Sequence, residues 1–171
     1  MEKKYKIFGI LKIISYISFM KQISQTIVSP KNGNCMQAAI ASLFECELDD
    51  VPNFIEFPSW FPPLREFILK RGYEFEGMLY SDATLKEHMS SKIKDLKGVN
   101  GLFYASVWSP KYNPEGIPGN CSHAVIIDKD FNIVWDPNPE YRTEGFKYPN
   151  HDNGYNGVHN VHMIEPKENI L

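Results

Sequence analysis

Residues 33–44 read GNCMQAAIASLF. A stretch of turn formers, SPKNGN at 29–34, runs directly into them. From Cys35 onward the pattern turns helical. Met36, Ala39, Ile40, Leu43 and Phe44 recur at three- and four-residue spacing and make one apolar stripe. The spacing predicts a helix over 35–44 with Asn34 at the N-cap. It should stop near Glu45, and a connector, ELDDVPNF, leads out through Pro52.

Two more helices follow on the same reasoning. Pro62 and Pro63 suit a first turn, Leu64, Phe67 and Ile68 make a stripe, and Gly72 can end a helix over 62–71. Thr84 and Glu87 have capping-box spacing ahead of Leu85, Met89, Ile93 and Leu96, which predicts a helix over 84–96. After residue 101 the period shortens. Residues 102–108 (LFYASVW), 123–127 (HAVII), 131–135 (FNIVW) and 158–164 (VHNVHMI) read as strands. A Pro/Gly-rich loop fills 109–121, and DPNPEYRTEG reads as irregular. Helices first and strands second is an α+β layout.

Composition bounds the rest. At 171 residues and 43% hydrophobic, the chain fits one domain with a core of its own. Mean hydropathy is −0.34, and no run of 18 apolar residues occurs. The net charge of −3 offers no basic field for nucleic acid. Residues 1–22 hold five Lys against one Glu, a net +4, which leaves −7 over residues 23–171. This basic, partly apolar leader has three open readings: an amphipathic surface helix, a secretory signal, or a start-site artefact with translation from Met20. Membrane contact is expected only through it. Residues 23–171 are expected to form a monomeric, cytoplasmic domain. Three cysteines cannot all pair within the chain, so at least one thiol is free.

Cys35 is the thiol with a chemical argument. A helix N-terminus carries partial positive charge and free N–H groups, which favour a thiolate and can cradle an oxyanion. A thiolate nucleophile wants a histidine, and the histidine wants an orienting carboxylate. The 123–136 hairpin offers both. With a two- or four-residue turn, His123 stands directly opposite Asp136 on one face; a three- or five-residue turn would put them on opposite faces. Cys46 reads as a small residue at a helix end, and Cys121 as a competing thiol without helix activation. His159 and His162, three apart in a strand, should face opposite ways, which argues against a shared metal. Trp60, Trp108 and Trp135 read as core residues first. Trp108, at a strand end beside the Gly/Pro loop, is also placed to line a cleft.

GNCMQAAIASLF, SHAVI and IVWDPNP, taken in order, resemble the Cys, His, Asp signature of papain-like cysteine peptidases. The resemblance is nearest to double-glycine leader peptidases and their small phage and bacterial relatives, and it spans roughly residues 23–165. It implies a papain-like fold, with the nucleophile helix packed on a C-terminal antiparallel sheet. It implies Cys35 as nucleophile, His123 as general base and acid, and Asp136 as orienter. A Gln ahead of the Cys donates to the oxyanion in that family. Here Gln25 and Gln22 precede Cys35 by ten and thirteen residues, a looser spacing than the family's, and Gln37 should point away from the thiol. Asn34 and Trp108 are the expected substrate contacts. The expected activity is amide hydrolysis of a peptide or protein substrate with no metal or organic cofactor. A non-catalytic papain-like binding module acting on a host or toxin partner, or a deamidase or acyltransferase on the same triad, is the alternative.

Overall fold

The computed structural model describes residues 20–80, 86–117, 119–144, 148 and 157–168. The helices are α1 (Cys35–Leu43), α2 (Phe61–Leu69), α3 (Lys86–Asp95) and α4 (Pro139–Glu144). The strands are β1 (Tyr73–Tyr80), β2 (Phe103–Trp108), β3 (Ser122–Ile127), β4 (Ile133–Trp135) and β5 (Val158–Pro166). They form one antiparallel sheet in the order β1-β5-β2-β3-β4. The α+β class stands.

Two elements depart from the expected order. β1 lies between the second and third helices, so helices do not all precede strands. Its YEFE start alternates as an exposed-edge strand should, and Gly77 at φ 139 carries a bulge that shifts its register on β5. The segment read as irregular contains α4. Asn138, Pro139 and Glu140 carry the legible signals of a helix start, and Asn138 Oδ1 accepts the Glu140 N–H at 3.0 Å.

Alternation along the sheet splits the core in two. On one face Tyr104, Ala124, Ile126, Trp135 and Ile164 pack under α1 and α2. On the other, Phe103, Val107, Val125, Ile127 and Val161 pack with Ile93 of α3. α1 rests on β3 and β2 and is covered nearly all round, with Met36 and 38–43 all buried. The single apolar stripe therefore understates it: its small alanines let neighbours close in from every side. The stripe of α2 (Leu64, Phe67, Ile68) is buried as its spacing implies. Thr84, Leu85 and the side chains of Glu87 and Met89 lie outside what is described.

The 22/23 boundary falls inside the packed domain. Met20 is 4% exposed in the first core, and Lys21 pairs with Glu47. The Ile23 N–H donates to Ser42 Oγ at 2.9 Å, and Trp135 Nε1 donates to the Ile23 carbonyl at 3.1 Å. Residues 1–19, and with them the three readings of the leader, lie outside the described residues. Among the described residues no helix is long and apolar enough to cross a membrane.

Candidate active site

α1 starts at Cys35, but Asn34 is not its side-chain cap. Asn34 Oδ1 accepts the N–H groups of Thr26 and Ile27 at 3.0 and 2.9 Å. Its Nδ2 donates to Thr26 Oγ1 and Gln37 Oε1 at 3.0 and 3.1 Å. All four valences of a residue 2% exposed are thus spent inside the protein. The expected cap and the expected substrate contact both give way to a structural clamp that holds 26–27 against the helix start. Gln37 is likewise structural: its Nε2 donates to the carbonyls of Leu48 and Val51 at 3.1 and 2.7 Å. The first bond of the helix runs from the Ala38 N–H to the Asn34 carbonyl. The amides of Cys35, Met36 and Gln37 therefore have no partner within the helix.

His123 is the second residue of β3. Its Nε2 lies 2.6 Å from Asp136 Oδ1, and each residue is 5% exposed. An ionised carboxylate only accepts, so Nε2 carries the proton and Nδ1 is left for the Cys35 sulfur, which also meets the N–H groups of Ala124 and Met36. The contact expected between His123 and Asp136 is present, but its route is different. The hairpin loop has three residues: Asp128 N–H bonds the Asn132 carbonyl at 3.1 Å, with Phe131 left-handed at φ 61. That alone would turn Asp136 to the other face. A bulge then shifts the register again, from Ile127 opposite Ile133 to Ile126 opposite Trp135. Two one-residue slips restore the face, and Asp136 reaches His123 diagonally rather than from directly across.

Asp136 is held from several sides. The Asn138 N–H donates to Oδ1 at 2.7 Å, and the Tyr148 hydroxyl donates to Oδ2. Arg142 bonds the Asp136 carbonyl, sits over the Trp135 ring at 4.0 Å and donates to Ser24 Oγ at 2.9 Å. The Tyr141 ring meets the His123 ring edge-on, centroids 5.1 Å apart. Sequence reasoning missed Tyr148, Tyr141 and Arg142. Only the Asn-Pro-Glu helix start nearby could have drawn attention to Arg142 and Tyr141.

These contacts set the charges. Burial works against ionising Cys35, but the bond and charge of His123, with the two N–H groups, outweigh it and hold the thiol below its ordinary value. Burial also opposes a charged His123, yet Asp136 and Cys35 together raise it to about 9. Both shifts favour the thiolate–imidazolium form of the pair. The other two thiols go the opposite way. Burial pushes Cys46 up despite Arg71, and burial with the Cys35 charge pushes Cys121 up. All three cysteines are free.

Cys35 opens into a cleft of about 320 Å³ whose walls include Trp60, Met78, Tyr104, Asn160 and His162. Trp108 does not line it. Its ring stacks on His159 at 3.8 Å, and Ser122 Oγ lies 3.1 Å from His159 Nε2. The tryptophan of the cleft is Trp60 instead. Gln25 is brought near: its N–H donates to the Pro137 carbonyl at 2.9 Å, and its neighbours 26 and 27 bond Asn34. Its Nε2 donates to the Ile27 carbonyl at 3.4 Å. Among the described residues no group of three or more His, Cys, Asp or Glu side chains is placed to hold a metal ion.

The arrangement offers an activated sulfur, a proton carrier held in one tautomer, and helix N–H groups where an oxyanion would form. Compared with protein-family models, curated proteins and solved structures, the chain matches none.

Proposed function

We propose that the protein is a cysteine hydrolase of papain-like type that cleaves an amide bond, most simply in a peptide. One observation carries this reading: a helix-start thiol, an imidazole and a buried carboxylate meet in sequence of contact beside a cleft. In the reaction the Cys35 thiolate adds to the carbonyl carbon, and the N–H groups at the start of α1 face the oxygen that becomes negative. His123 gives its proton to the departing amine, so the C–N bond breaks and an acyl-thioester remains. Water then attacks the thioester while neutral His123 takes its proton. The carboxylic acid leaves, and the thiolate and imidazolium return. Asp136, pinned by Asn138 and Tyr148, keeps the ring aligned through both halves. Gln25 is the candidate second oxyanion donor, by a turn of its amide away from Ile27.

Iodoacetamide alkylation with site assignment by mass spectrometry, across about pH 5 to about pH 10, tests the reading. Cys35 alone should react fast, with an apparent pKa well under about 8.5, the free-thiol value. Three thiols reacting slowly and alike would overturn it.

A further inference from the structure

Two residues that line the cleft beside Cys35 carry buried polar atoms that the protein itself leaves unpaired. His162 is 4% exposed, and among the described residues neither of its ring nitrogens has a hydrogen-bond partner. Asn160, two residues along β5 on the same face, has a buried Oδ1 in the same condition. Folded proteins rarely leave such groups unpaired, and an exception calls for a reason. Here both residues line the cleft that Cys35 opens into. The surroundings are aromatic: Tyr104 stacks on the His162 ring at 4.1 Å, and Trp60 and Phe75 flank it at 5.7 and 6.0 Å.

The open set defines its complement. Burial drives His162 down to about 3, so the ring is neutral and offers one donor and one acceptor. Asn160 Oδ1 adds a second acceptor. A carboxamide brings two donors and one acceptor, the mirror image of that set. A carboxylate brings only acceptors. It would face the Asn160 oxygen, and among the described residues no Lys or Arg lines the cleft to pair with it. An aliphatic side chain would bury the same atoms still unpaired. The acyl part of a substrate stays on the sulfur through both half-reactions, so the cleft at the sulfur must hold it.

Resting on the cysteine-hydrolase reading, we propose that His162 and Asn160 form a specificity pocket for a carboxamide side chain, glutamine or asparagine, in the acyl segment of the substrate. The probes are dipeptidyl acyloxymethyl ketones carrying glutamine, glutamate or norleucine at the first or second position from the ketone. The readout is the rate of Cys35 labelling by intact mass. At one of the two positions glutamine should label at least about tenfold faster than both of the others. His162→Phe should bring that ratio to about one, and Asn160→Leu serves if the first variant does not fold. Equal rates for the three side chains, a preference for glutamate or norleucine, or a glutamine preference that survives both substitutions would overturn the pocket. Iodoacetamide separates the two levels. Fast alkylation of Cys35 without any glutamine preference removes the pocket and leaves the hydrolase. Slow alkylation at Cys35 removes both.

Discussion

Replacing Asp136 by Asn keeps the shape beside His123 and removes the charge. His123 stands at about 9 against an ordinary 6.5. At about 1.36 kcal/mol per pKa unit, the protein favours the imidazolium by about 3 kcal/mol. Burial alone would disfavour it, so the whole preference comes from Asp136 and Cys35. If Asp136 carries half, its loss removes at least about 1.5 kcal/mol, or roughly a factor of ten in the thiolate–imidazolium equilibrium constant. The direction follows: His123 drops toward or below 6.5, the Cys35 thiol rises, and the acid limb of alkylation moves to higher pH. Near pH 6, iodoacetamide should label Cys35 of Asp136→Asn about tenfold more slowly than the parent. Peptide turnover should also lose its alkaline limb near pH 9, where the parent's imidazolium gives up the proton needed by the leaving amine. Circular dichroism of both proteins checks that the fold is kept. An unchanged alkylation profile, with rates within about twofold, would refute the argument that this carboxylate sets the charge of the site.

Three further outcomes follow from packing and charge. Tyr148→Phe removes a hydroxyl that donates to the buried Asp136 carboxylate and should cost about 1.5–3 kcal/mol in urea denaturation; a change below about 0.5 kcal/mol would contradict the contact. Phe131→Gly relieves a left-handed backbone worth about 1–2 kcal/mol but empties a site where the ring is 2% exposed, worth about 3–5 kcal/mol, so the variant should be less stable by a few kcal/mol; equal or higher stability would mean the ring is not packed as described. His162 stays neutral in the fold, so below about pH 6.5 the unfolded chain takes up a proton that the native protein refuses, and stability falls as pH drops toward 3. His162→Phe should make the decline between about pH 6 and about pH 4 shallower by up to about 1.4 kcal/mol per pH unit, and identical slopes in the two proteins would refute a buried neutral ring.

Much of the site was legible because its signals are local. The helix start at Cys35 shows in the switch from turn formers to a helical period, and the order Cys35, His123, Asp136 is read directly. β1 is not legible in the sequence because Gly77 interrupts its alternation after only four residues. The contact between His123 and Asp136 is legible, but the register that makes it is not. A three-residue loop and a bulge each shift pairing by one, and a sequence shows only that a turn exists. Asn34 carries the residue type of a cap, yet two backbone amides from 26–27 claim its oxygen.

What the chain determines by itself is chemistry and periodicity: which thiol sits at a helix start, which histidine and aspartate bracket a hairpin, which faces are apolar. These depend on neighbours a few residues away, where covalent geometry leaves little choice. The tertiary structure alone decided how Asp136 is held by Tyr148, why Trp60 rather than Trp108 lines the cleft, and that Asn160 and His162 line it with buried atoms left unpaired. Each of those brings together residues distant in sequence, and their distances are set by how the sheet twists and packs rather than by any local preference.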